Sequence, residues 1–168
     1  MFVGSVLIGG SVKALISMGS LCSLQVLSSL IKAIKSPLVD EMESCGGILK
    51  IVSHLSSEDM ETRAMAMECV METGYFGRKE AVESMINGGL IKRLVELQRA
   101  EVGVATERKH AFANCVARFA AQLEEGEGLR QREKRAFKQQ ILSKVREACA
   151  SDAESATIVA QVLWGSSA

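Results

Sequence analysis

Aromatic side chains are scarce in this chain. They fill 4% of its 168 positions, with one tryptophan, one tyrosine and five phenylalanines, and there is a single proline, Pro37. Alanine, leucine, isoleucine, valine and methionine are plentiful instead, a mix that suits helices and disfavours a sandwich or barrel of short strands. Neither sign of charge prevails. Lys plus Arg is 20 and Asp plus Glu is 20, so the net charge is zero. Overall charge therefore argues for neither nucleic acid nor an acidic membrane surface, and neither is expected as a partner. Histidine occurs only at His54 and His110. The five cysteines, Cys22, Cys45, Cys69, Cys115 and Cys149, are odd in number, and no two have close metal-ligand spacing. The expectation is no metal and no cofactor, with cysteine acting as a small buried apolar residue in a reducing compartment.

Long apolar runs are also missing. A membrane span needs roughly 18 apolar residues. The longest candidate, from Val12 to Ile34, is interrupted by Lys13, Gly19, Ser20, Gln25 and Lys32. The opening "MFVGSVLI" is apolar, but it lacks a basic start and no A-x-A cleavage site follows it, so it does not read as a secretory signal. The expected compartment is the cytoplasm, the nucleus or both.

What the chain does have is repetition. "GGILKIVSHL" begins at Gly46 and "GGLIKRLVEL" at Gly88, 42 residues later. A looser copy, "GGSVKALISM", begins at Gly9. In register, the fourth, seventh and tenth positions are apolar in all three: Val12, Leu49 and Ile91; Leu15, Val52 and Leu94; Met18, Leu55 and Leu97. That spacing predicts a short amphipathic helix in each copy, entered through a glycine turn. "ING" at Ile86 to Gly88 reads as a helix stop. A longer helix follows each. After the cap-rich turn Ser56 to Asp59, Ala66, Cys69, Val70 and Thr73 recur at i, i+3, i+4 and i+7. In "HAFANCVARFAAQL", Phe112, Cys115, Val116 and Phe119 recur at the same offsets, with about four extra residues in the preceding loop; in the first copy Val26, Ser29 and Leu30 take the corresponding places. Short third helices begin near Pro37 and Arg78. Pro37 fits the first turn of its helix. One such unit cannot bury both faces of its helices, so stacked neighbours must share a core.

After "EEGEGL" the pattern changes. Arg130 to Ala150 predicts a long helix whose apolar stripe is Phe137, Ile141, Val145 and Ala148. Ser151 to Glu154 has the form of a capping box and opens a last helix with Ile158, Val159, Val162 and Leu163. These two helices, within 130–165, read as a terminal cap. The bases Arg130, Arg132, Lys134, Arg135 and Lys138 read as the solvated face of that cap rather than a nuclear-import or phosphate-binding signal, since Glu133 stands among them.

The glycines, the apolar helix, the Ser/Asp-rich turn and the small-residue helix of "GGILKIVSHLSSEDMETRAMAMECV", preceded by "AVESMING", resemble the signature of the armadillo repeat superfamily over roughly residues 9–122. The whole chain is also similar to the C-terminal part of plant armadillo-repeat proteins. The resemblance implies one all-α domain over 1–168: a right-handed superhelical solenoid with repeats at approximately 9–45, 46–87 and 88–129 and a two-helix cap. It implies a non-catalytic module that binds a partner protein or extended peptide along a concave groove lined by the longer helices. An alternative in the same family is an adaptor or regulatory fragment of a larger protein, such as a ubiquitin-ligase component, although no U-box is present in the sequence. The chain opens in an incomplete unit, which reads as a fragment or short form of a longer array. "MFVGSVLI" would then end a preceding unit and favour self-association at the N-terminal edge.

Importin-type members carry a Trp and an Asn at fixed places on the longer helix. With Ala66 and Phe112 as anchors, the Trp-like positions here are Ser28, Glu68 and Asn114, and the Asn-like positions are Lys32, Glu72 and Arg118. Neither ladder is present, so the resemblance implies a groove of mixed charge, with Lys32, Glu68, Glu72, Asn114 and Arg118 as candidate contacts. No catalytic residue is expected. The Gly-Gly pairs lack nucleotide-loop spacing. Glu68 and Glu72, one turn apart, read as two exposed acids, and His54 and His110 fall in different units. Met60, Met65, Met67 and Met71 read as core and inter-repeat packing.

Overall fold

The structure, a computed structural model, describes residues 12–102, 112 and 114–164. Among these the regular secondary structure is entirely α-helical. The helices are α1 (12–18), α2 (Leu21–Ile34), α3 (Ser36–Ser44), α4 (Gly47–His54), α5 (Met60–Phe76), α6 (Lys79–Asn87), α7 (Leu90–Val102), α8 (Cys115–Glu125), α9 (Gln131–Ala148) and α10 (Asp152–Trp164). The all-α expectation therefore holds.

Local chemistry explains most of the boundaries. Ser20 caps α2, its hydroxyl accepting from the Ser23 N–H at 3.2 Å. Pro37 lies in the first turn of α3, where its missing N–H costs nothing. Asp59 caps α5 and accepts from both the N–H and the hydroxyl of Thr62, at 3.1 and 2.6 Å. The double glycines turn the chain as expected, but through different members of each pair. Gly46 has φ 72 and Gly89 has φ 88, so α4 starts on the second glycine and α7 after it. A side chain at either position would be strained by the backbone alone.

The helices pack in a regular order. α2 lies against α5, α5 against α8, and α8 against α10. In parallel, α3 lies against α6, and α7 against α9. Neighbours along the chain pack too: α3 with α4, α5 with α6, α6 with α7, α7 with α8, and α9 with α10. A continuous apolar cluster runs from Val12 to Val162 through these seams. Fully buried side chains such as Leu24, Ile31, Ile51 and Phe119 contribute about 1.5–3 kcal/mol each.

The repeated apolar positions are buried throughout the third copy, at Ile91, Leu94 and Leu97. The other copies keep Val12, Val52 and Leu55 buried but depart elsewhere. Met18 is 68% exposed, and Ile16 takes the core place in α1. Leu49 is 51% exposed, and Ile48 and Ile51 face the core of α4 instead. The tip of Leu49 is not idle, because it lies over Gly88 at the next double glycine.

The longer helices also differ from expectation. Ala66, Cys69, Val70 and Thr73 are all buried. On α2, however, the buried face is Leu24, Leu27, Ser28 and Ile31, each 42 residues before its α5 counterpart. Val26 is 49% exposed and Ser29 is exposed, so the alignment of the first copy slips by two residues. In the third unit Phe112, Cys115, Val116 and Phe119 are buried as expected, yet α8 begins only at Cys115. Asn114 holds a left-handed conformation, φ 52, which stops the helix from extending further back. Glycines 9 and 10 lie outside the described residues.

The segment between α8 and α9 closes back on α5. The N–H groups of Glu127 and Gly128 donate to the Tyr75 carbonyl at 2.8 and 3.4 Å. From the other side, the Ser36 hydroxyl donates to the Phe76 carbonyl at 2.7 Å. Carbonyls that the end of α5 would otherwise leave unpaired are thus satisfied from two other elements.

Candidate functional site

The expected groove residues meet most closely where α2 crosses α5. Ser28 is 3% exposed, and its hydroxyl reaches both carboxylate oxygens of Glu72 at 2.8 Å. Lys32, one turn further along α2, places Nζ 3.1 Å from Glu72 Oε1. Glu72 itself is only 7% exposed. It is therefore not the open surface acid that its spacing suggests. The α2–α5 packing covers it, and a small serine opposite gives it room and a donor.

The electrostatics follow from that burial. Loss of solvent pushes the Glu72 carboxyl above its ordinary value; the hydrogen bonds from Ser28 and Lys32 pull it back, and nearby Glu68 opposes them. Lys32 is held above its ordinary value by its hydrogen bond to Glu72 and then by that group's charge, with a smaller part from Glu68. The lysine side chain stays 62% exposed, so solvent screens the pair. Glu68 is exposed on α5. Beside it Cys69 is fully buried, with Sγ 3.5 Å from the Leu24 carbonyl. Burial first, then Glu72 and Glu68, push its thiol up to about 12, so it stays a neutral packing group.

Asn114 and Arg118 stand on α8. Asn114 is not a mid-helix residue but the N-cap, and its side chain does not cap. Gln98 of α7 caps the helix in its place, with Oε1 accepting from the Val116 N–H at 3.4 Å. Arg118 is half-buried in the first turn. The structure thus joins Lys32, Glu68 and Glu72 across one seam and sets Asn114 and Arg118 on the next helix. A serine hydroxyl aimed at a carboxylate has the form of an activated nucleophile. Ser28 is buried, however, and its bond to Glu72, with the Lys32 pair, links α2 to α5.

Two other features bear on function. On α9, Phe137, Ile141 and Val145 are buried, Ala148 is partly so, and Arg132 and Arg135 are exposed, as is Arg130 just before the helix. Lys134 and Lys138 turn towards α8 instead. Lys134 Nζ donates to the Glu124 carbonyl at 2.7 Å, and Lys138 Nζ lies 3.9 Å from Glu124 Oε2. The second feature is not legible in the sequence. Arg99 of α7 makes a two-pronged bond to Glu154 of α10, Nε to Oε2 and Nη2 to Oε1, both 2.8 Å. The Glu154 N–H donates to the Ser151 hydroxyl at 3.2 Å, which forms one half of the expected capping box, while its carboxylate accepts from the N–H of Ala150, one residue before Ser151, at 3.0 Å. Arg99 and then the Ala150 amide hold the Glu154 carboxyl down at about 2. The partners are 55 residues apart, beyond any local pattern.

Met67 and Met71 are buried and Met65 packs against the core, whereas Met60 is exposed. His54 packs its ring against Gly19, with Nε2 buried and unbonded among the described residues; His110 lies outside them. Among the described residues no three His, Cys, Asp or Glu side chains gather as a metal ion would need, and no helix is long and apolar enough to cross a membrane. Compared with known proteins, the chain matches no family model and no curated protein.

Proposed function

We propose that the chain is a short armadillo-like right-handed solenoid that serves as a non-catalytic protein-binding module. The observation that supports this reading most is the packing order. Helices three elements apart, α2, α5 and α8, lie side by side, and so do the short helices α3 and α6. This is the neighbour relation that stacked three-helix units require. The step from that architecture to binding is one of analogy with other repeat proteins.

The buried faces of α2 and α5 redefine the surface offered to a partner. With the 42-residue offset, exposed Val26 on α2 takes the place that Glu68 occupies on α5. Glu72 and Lys32 spend their charges on each other. The partner-facing set is then Val26, Glu68 and the α8 pair Asn114 and Arg118, with Lys32 at the edge. A basic or amphipathic segment suits Glu68 best.

Pull-down from native extract with mass spectrometry supplies a partner, and titration then tests the surface. Val26→Asp with Glu68→Lys should weaken that partner, more at low salt than at high salt, without loss of helicity. Reversal of Lys79 and Glu80, exposed on α6, serves as the control and should do little. Unchanged affinity in the first variant would remove this face as the binding site.

A further inference from the structure

Two unlike ties meet on the Glu72 carboxylate, and a proton affects them differently. Ser28 lies inside the seam between α2 and α5, 2.8 Å from both carboxylate oxygens. Lys32 lies 3.1 Å from Oε1, and its side chain is 62% exposed. A serine hydroxyl can donate to a carboxylate or accept from a carboxylic acid, so the Ser28 bond survives protonation of Glu72. A lysine ammonium only donates and is held here by opposite charge, so the Lys32 pair does not.

The surroundings of Glu72 favour that event. With the residue 7% exposed, its charge is kept out of water at a cost that a proton removes. Burial pushes the carboxyl above its ordinary value, against the hydrogen bonds from Ser28 and Lys32. Lys32 comes from α2, and Glu68, one turn back on α5, adds a like charge. The Cys69 thiol on α5 stays neutral. α3, α4, α6 and α8 also pack on α5, and among the described residues none of their acids or bases is bonded to or paired with Glu72.

We propose that Glu72 is a proton-sensitive gate on the charge of the partner-facing surface. A proton taken up there keeps α2 tied to α5 through Ser28 and releases the Lys32 ammonium to that surface. Lys32, Glu68 and Glu72 are one base against two acids, a single net negative charge that protonation removes. Glu68 is the next acid that acts on Lys32, so the released ammonium turns to it. The acid that suits a basic segment is then neutralised from within the protein. A basic partner is held at neutral pH and let go as the pH falls. That consequence for binding rests on the proposed function, whereas the gate itself does not.

The test is an NMR titration of the isotope-labelled protein alone, from about pH 7 to about pH 3.5. The Glu72 carboxyl carbon should titrate with a midpoint above 4.5, its ordinary value, and the Lys32 side-chain signals should move with the same midpoint. Contacts between α2 and α5 and the circular dichroism spectrum should persist through the transition. Glu72→Gln, an uncharged stand-in for the protonated acid, should hold the Lys32 signals at their low-pH position throughout. Lys32→Gln, an exposed change, should raise the Glu72 midpoint, because it removes a hydrogen bond and a charge that lower it. A Glu72 midpoint at or below 4.5, Lys32 signals that do not follow it, or separation of α2 from α5 on protonation would each overturn the proposal. No partner enters this titration, so it can fail while the face across α2, α5 and α8 binds, and hold while that face binds nothing.

Discussion

A carboxylate taken out of water needs partners, and among the described residues those of Glu72 come from α2. Ser28 supplies a buried hydrogen bond, while Lys32 supplies a charge that stands mostly in solvent. The two contributions are unequal. A screened pair of this kind contributes about 0–1 kcal/mol. A buried hydroxyl left without its acceptor costs about 1–3 kcal/mol. Glu72→Ala should therefore destabilise the protein by about 1–3 kcal/mol, because it orphans Ser28 and leaves a gap between α2 and α5. Glu72→Gln keeps an acceptor for Ser28 and removes the cost of burying a charge, which is the dominant influence on this carboxyl. It should change stability by less than about 1 kcal/mol in either direction. Urea unfolding of the two variants separates these outcomes. Equal losses in both would mean that the charge on Glu72, not its hydrogen bond, ties the helices.

At the scale of the element, α10 is attached by an apolar seam and an ionic latch. Ile158 and Val162 are buried, and Arg99 reaches across to Glu154 beside the end of α9. The folded carboxyl sits at about 2, below its ordinary value of 4.5. A carboxyl depressed by folding stabilises the native state above its unfolded pKa and loses that contribution as it protonates. The latch should hold at neutral pH and weaken as the pH falls from about 4.5 towards about 2. Glu154→Gln should flatten that part of the acid limb in thermal melts at graded pH; an identical limb in the variant would show that the latch carries no stability. How far such elements can be read from sequence depends on how many choices the residues leave open. The unit α4–α6 is legible because Asp59, the Ala66–Thr73 spacing and Gly88 agree. On α2 the apolar residues Leu21, Leu24, Val26, Leu27, Leu30 and Ile31 run nearly round the helix, so packing on α5, not spacing, selects the buried face. The late start of α8 turns on one backbone conformation at Asn114, which hydrophobic spacing cannot report. The mixed signs of Lys32, Glu68 and Glu72 are plain in the sequence, but the burial of Glu72 depends on the serine opposite, and the Arg99–Glu154 bond on a distant helix.

For the whole molecule, stability should be graded along the stack. α5 packs on α2, α3, α4, α6 and α8, whereas α10 packs substantially on α8 and α9 alone among the described helices. Opening α5 breaks several seams at once, while α10 can leave by breaking two seams and the side-chain ties from Gln98 and Arg99 of α7. Hydrogen exchange should find the slowest amides in the middle of α5 and faster exchange in α10. Uniform protection across both would argue for a single cooperative block. The closure at the end of α5 has a further consequence, for the route by which the chain folds. Ser36 comes to Phe76 across 40 residues, and Glu127 comes to Tyr75 across a somewhat longer stretch. Doubling a loop adds only about 0.6 kcal/mol to its closure entropy. Neither arrival is therefore strongly favoured by chain length, and assembly can spread outward from α5 in either direction.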